Sequence, residues 1–185
     1  ARAKEQLGVE TYLLDLGATK TPLPLWDETM WGMDVDTNPK AAEAWQPIKA
    51  ELADADAYIV LAPEYNGTMP AALKNFFHYL SQDVVGHKPA LAVGVSASVG
   101  GTYPIAELHS FAVKNAKMVW TPDHVIVRHA ADMLKDDVPA DKKEFDTDIR
   151  ERIDFSLGQL KAYADGFKTI RASGKVMSDK YPFGM

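Results

Sequence analysis

The sequence predicts an α/β domain, a doubly wound parallel sheet with helices on both faces in three α/β/α layers. Two observations carry this. Short, almost continuously apolar runs such as Tyr58–Ala62 (YIVLA) and Pro89–Ser96 (PALAVGVS) suit strands covered on both sides. They alternate with stretches whose apolar residues recur at helical spacing, which specifies βα units joined by right-handed crossovers.

Taken in order, Ala1–Leu7 has the character of the last two turns of a helix, with Gly8 as the residue expected just past its end. Val9–Leu16 (VETYLLDL) reads as the first visible strand. The breaker Asn38-Pro39 opens a helix in which Trp45, Ile48 and Leu52 share a face. Tyr58–Ala62 is the next strand, and Leu73, Phe76, Phe77 and Leu80 mark the helix behind it. Pro89–Ser96 follows as a strand, then a helical stripe of Ile105, Leu108 and Ala112 after Pro104. Asp123–Val127 (DHVIV), β-branched and apolar, reads as the last strand. Asp132–Asp148, rich in acids and lysines, reads as a solvated loop and helix entrance. The final helix carries Ile149, Ile153, Leu157, Leu160 and Ala164 and stops before Gly174. Residues 175–185 (KVMSDKYPFGM) lack periodicity and are expected to form an irregular tail on the surface or on a partner subunit. With no repeat, linker or low-complexity stretch, residues 1–185 read as a single domain.

Composition narrows the function. Nearly half the residues are apolar and a quarter are charged, as in an ordinary globular protein. A net charge of −6 argues against nucleic acid and against an anionic membrane as partners. The absence of cysteine excludes disulfides, thiol catalysis and thiolate metal sites, and is compatible with a cytoplasmic protein. The apolar runs are too short to span a bilayer. The five histidines show no metal-ligand spacing, so no metal site is expected.

Two strand ends stand out, because ligands in open parallel sheets bind outside the carboxyl ends of strands. The first is Ala62–Phe77 (APEYNGTMPAALKNFF). Asn66-Gly67 tolerates positive φ, so the chain can reverse sharply and leave backbone N–H groups facing outward. Thr68 is placed to cap the following helix, and Pro70 falls in its first turn. The same residues also describe a well-capped strand-to-helix turn without a ligand. The second end, Gly94–Pro104 (GVSASVGGTYP), has glycines that permit close approach to the backbone. It lacks the last glycine of a G-x-S-x-G nucleophile elbow and does not match G-x-G-x-x-G.

Together these residues resemble the NADPH-dependent FMN reductase family, a flavodoxin-like group of NAD(P)H:acceptor oxidoreductases. Pro63-Glu64-Tyr65-Asn66-Gly67-Thr68, Pro70 and Leu73-Lys74-Asn75 are similar to that family's P-E-Y-N-x-S/T-x-P…L-K-N signature. Leu23-Pro24-Leu25-Trp26-Asp27 and the glycine pair of Ser98–Gly101 support it, and the likeness runs from about Glu10 to Val127. The resemblance implies that Pro63, Glu64, Tyr65, Asn66 and Gly67 hold one side of an FMN ring, with Ser98, Val99, Gly100 and Gly101 on the other. It implies hydride transfer from NADPH or NADH through flavin N5 to a small-molecule acceptor such as a quinone, free flavin, azo dye, ferric chelate or chromate. The flavin carries the chemistry, so no catalytic side chain is assigned. A homodimer or homotetramer is implied too, with Lys74 as an intersubunit charge or an ordinary solvated lysine. His78 is expected at a surface or interface. Trp26 and Trp31 are expected either to wall the acceptor pocket or simply to pack a loop.

The likeness breaks at its start. The family's first strand and its G-S-x-R-x-x-S-like phosphate loop do not occur in these residues. The first strand is central in the flavodoxin-like order. The natural protein is therefore expected to carry about 20–30 further residues, one strand, loop and helix start, before Ala1. Two other readings remain: an electron-carrier flavodoxin, and a flavin-free interaction module on the same fold.

Overall fold

The computed structural model describes residues 2–18, 22–30 and 38–184. Its sheet has three parallel strands in the order β1 (Tyr58–Pro63), β2 (Pro89–Val95) and β3 (Val119–Val127). Among the described residues six α-helices accompany it: α1 (Arg2–Leu7), α2 (Pro39–Asp54), α3 (Ala71–His78), α4 (Gln82–Val85), α5 (Thr102–Leu108) and α6 (Lys143–Ala172).

Side chains alternate across the sheet and build a core on each face. On one face Ala62, Ala90 and Ala92 join Trp45, Ile48, Leu73, Phe76 and Ile105. On the other, Leu91, Val93, Val125 and Val127 meet Leu160 of α6, with Ile149 and Ile153 packed alongside. The expected three layers are therefore present. Asn38 caps α2, its side chain accepting from the Ala41 amide at 3.1 Å, and Pro39 opens the first turn.

Several expectations are corrected. Val9–Leu16 is irregular rather than a strand. A strand needs a neighbour to take its N–H and C=O groups, and no described strand lies alongside this segment. Its Leu14 and Leu16 still pack on the main core, while Leu13 is 82 % exposed. On the uncovered face of β1, Ile59 and Leu61 are exposed as well.

β3 begins four residues earlier than its apolar run. Its register slips so that Ala90 faces Trp120 but Ala92 faces His124, which leaves Pro122 in an irregularity where its missing N–H forfeits no ladder bond. Ala112 lies beyond α5 with φ 59°, and α4 was not foreseen. α6 starts earlier than its apolar stripe. Asp146 in its first turn is buried rather than solvated, accepting from the Leu134 amide and Arg150 Nε at 2.6 Å each.

Below the sheet, at the amino ends of the strands, Lys88 is only 8 % exposed. Its ammonium donates to the carbonyls of Leu52 (2.9 Å) and Ala53 (2.6 Å), which end α2. Burial lowers its pKa to about 8. Between that value and the ordinary lysine pKa the unfolded chain keeps a proton that the folded chain has released, so stability rises with pH in this window. Urea unfolding followed across the window from pH 8 upward should show that rise, and Lys88→Met should flatten it.

Candidate functional site

The parallel register sets Pro63 at the end of β1 opposite Val95 at the end of β2, and the Glu64 amide donates to the Val95 carbonyl at 2.8 Å. Both strands therefore release their turns at one level, side by side.

In the first turn, Tyr65 and Thr68 exchange backbone hydrogen bonds of 3.0 and 3.2 Å. Between them Asn66 (φ 53°) and Gly67 (φ 73°) are both left-handed, the two-residue reversal that Asn-Gly favours. The Asn66 and Gly67 amides have no partner among the described residues, and open space lies where a side chain at Gly67 would stand. Tyr65 projects outward, 63 % exposed.

Thr68 does not cap α3. Its hydroxyl lies 2.8 Å from both oxygens of Glu107, which also accepts from the Met69 amide at 2.6 Å. Pro70, expected in the first turn of α3, stands at its cap and supplies no side-chain bond. Lys74 donates to Thr68 Oγ1 at 2.9 Å and pairs with Glu107 at 3.0 Å, so its charge is engaged within the chain. The Met69 amide, then Thr68 and Lys74, hold the Glu107 carboxyl below its usual pKa.

In the second turn, the His129 amide donates to the Ser98 carbonyl at 3.0 Å, and Gly101 (φ 101°) stands at the amino end of α5. A Cβ at Gly94 would lie 2.3 Å from the Gly101 carbonyl oxygen, so glycine there lets the loop close onto β2. The Val99 and Gly100 amides have no partner among the described residues. The Gly101 amide donates to Glu64 Oε2 at 2.5 Å, while Arg128 Nε donates to the carbonyls of Val99 (2.7 Å) and Gly100 (3.1 Å).

The structure thus brings the nine residues singled out in the sequence, Pro63–Gly67 and Ser98–Gly101, to the mouths of two adjacent strands joined by the Glu64–Gly101 bond. Four unpartnered amides on two glycine-rich walls suit a flat ligand with polar or anionic edges. Sequence reasoning missed Glu107 and Arg128. No spacing rule links Glu107 to Thr68, whereas Arg128 directly follows a strand end and could have been found from that position.

The leucine-proline motif and the L-K-N motif prove to be one unit. Asn75 Oδ1 accepts from the Trp26 amide at 2.8 Å, and Asn75 Nδ2 and the Tyr79 hydroxyl donate to the Pro24 carbonyl at 2.8 and 2.7 Å. Trp26 stacks on the exposed His78 with ring centres 5.7 Å apart. Trp31 lies outside the described residues. Among the described residues no three His, Asp or Glu side chains gather as a metal site, and no helix is long and apolar enough to cross a membrane.

Gly94→Ala should drive the second turn off β2, because the obstructing atom is backbone. A loss of about 1–3 kcal/mol in urea-unfolding stability is expected, the range for overpacking.

A family model described as NADPH-dependent FMN reductase matches residues 1–132. A 2-hydroxy-1,4-benzoquinone reductase from Burkholderia sp is 38 % identical over 85 residues, 43 % of this chain and 44 % of the relative. The chain thus matches less than half the length of that relative. A NADPH azoreductase from Bacillus sp. (strain OY1-2) is 27 % identical over 164 residues, covering 88 % of this chain and 82 % of the relative. Among solved structures, the FerB flavoenzyme NAD(P)H:(acceptor) oxidoreductase from Paracoccus denitrificans superposes with TM-score 0.57 at 23 % identity, covering 90 % of this chain and 86 % of that one. The FMN-dependent NADH-azoreductase from Bacillus anthracis str. Ames Ancestor, solved in complex with FMN, gives 0.52 at 15 % identity over 80 % and 79 % of the two chains. Both likenesses are of fold. With the family model covering most of its length, this chain belongs to the NADPH-dependent FMN reductase family.

Proposed function

We propose that the chain is an FMN-dependent NAD(P)H:acceptor oxidoreductase that reduces a small molecule, a quinone or azo compound among the candidates that its relatives' names suggest. The observation that carries this reading is the pairing of two turns at adjacent strand ends, tied by the Glu64–Gly101 bond, each with two unpartnered amides: Asn66 and Gly67 on one, Val99 and Gly100 on the other.

The residues present fit the flat ring of FMN. Glycine backbone and open space at Gly67 leave room for a ring to approach, and the free donors match its polar rim. Bound FMN would supply the hydride chemistry between NADPH or NADH and the acceptor. Asn66 and Gly67 would hold one edge, and Ser98–Gly100 would line the opposite side. Main-chain donors aimed at that rim would favour negative charge developing there, as preorganised dipoles do in an oxyanion hole. Tyr65 and Val99, both mostly exposed, would cover the ring from water and border the acceptor's place. No side chain of this set has to act as acid or base.

The protein is further proposed to work in the cytoplasm as a homodimer or homotetramer.

The direct test is to incubate the purified protein with FMN, remove free flavin and add NADPH without oxygen. Retained flavin whose visible absorption bleaches, then recovers with added benzoquinone, supports the reading. Flavin that washes away refutes it. Asn66→Val places a β-branched residue at positive φ, which should distort the reversal and weaken FMN binding about tenfold, or 1.4 kcal/mol.

A further inference from the structure

Two side-chain hydrogen bonds, one from the first turn and one from the end of β3, meet on a single peptide group of the second turn. The N–H of Gly101 and the C=O of Gly100 belong to the same peptide plane. Glu64 Oε2 takes the N–H at 2.5 Å, and Arg128 Nε donates to the C=O at 3.1 Å, sharing its proton with the Val99 carbonyl at 2.7 Å. A carboxylate therefore holds one end of the plane and a guanidinium the other. Charged partners make the stronger class of hydrogen bond, and both match the sign of the peptide dipole.

The flanking residues show why such a clamp matters. A peptide between two glycines meets no Cβ on either side and can turn over at little steric cost. A Cβ at Gly100 would stand 2.6 Å from Glu64 Oε1, so a side chain there would push the Glu64 carboxylate from its place against the loop. Gly101 sits at φ 101° with Ile126 Cγ2 2.5 Å from where its Cβ would be. The backbone at Gly101 thus needs glycine, a bare Gly100 lets the Glu64 carboxylate close on the loop, and the two glycines leave the peptide free to rotate unless something outside the loop holds it.

We propose that Glu64 and Arg128 are positioning residues that lock the Gly100–Gly101 peptide in one orientation, so that the second turn offers the Val99 and Gly100 amides to a ligand and withholds that of Gly101. The clamp itself rests on geometry, and its effect on FMN rests on the proposed function. Gly101 then belongs to the site as a hinge and not as a donor. With the clamp released, the Gly100 carbonyl can turn toward the cleft and present an acceptor where a donor is needed.

The clamp can be read without flavin from the ¹⁵N-labelled protein. The Gly101 amide should exchange slowly with solvent and resonate downfield. Glu64→Gln, which keeps an acceptor oxygen, should preserve both features. Glu64→Ala should lose both, while Arg128→Met should keep the protection in part and shift the resonance. FMN affinity should follow the same order, near wild type in Glu64→Gln and about tenfold weaker in Glu64→Ala. A Gly101 amide equally protected in Glu64→Ala overturns the clamp. If Glu64→Ala fails to fold, an unmoved Gly101 resonance in Arg128→Met overturns it. Wild-type protein that binds no FMN overturns the proposed function instead, and leaves the amide measurement to decide the clamp.

Discussion

The register between β1 and β2 is the constraint on which the site depends. Because Pro63 lies opposite Val95, the two strands end together and their turns emerge side by side. A slip of one residue would turn Ala62 from the core and separate the turns. Buried alanines on one face and branched residues on the other resist such a slip. The packing of the sheet therefore sets the geometry of the cleft, and the turn residues only exploit it.

Acidic side chains then tie the turns to each other in opposite directions. Glu64 reaches from the first turn to the Gly101 amide of the second. Glu107, on the helix behind the second turn, collects Thr68 and Met69 from the end of the first and Lys74 from α3. With Glu64 and Thr68 committed to these ties, the Asn66, Gly67, Val99 and Gly100 amides stay without partners among the described residues. In a site where the cofactor carries the chemistry, fixed dipoles are what the protein has to supply.

Much of this was legible in the sequence, for physical reasons. β2 was legible within a residue because a strand buried on both faces has to be apolar at every position, and β1 because its composition is the same although Ile59 and Leu61 on one face are exposed. Asn66-Gly67 announced its reversal because few other residue pairs accept two positive φ angles in succession. The helical stripes of α2, α3 and α6 also stood out. What escaped reading was set by contacts distant in the chain. Val9–Leu16 has a strand's composition, but pairing depends on a neighbour and not on composition. Pro122 concealed the start of β3 because the irregularity that accommodates it is a property of the ladder. Thr68 was read as a helix cap from local rules, and a carboxylate 39 positions away claimed its hydroxyl.

The central claim is that the tips of these two turns form one binding cleft for a flat redox ring. The most direct measurement is an amide-resolved ¹H–¹⁵N titration of the protein with FMN. The account predicts that the largest shifts fall on Asn66, Gly67, Val99 and Gly100 together and saturate along a single isotherm. Shifts confined to one turn, or centred elsewhere on the molecule, would contradict it.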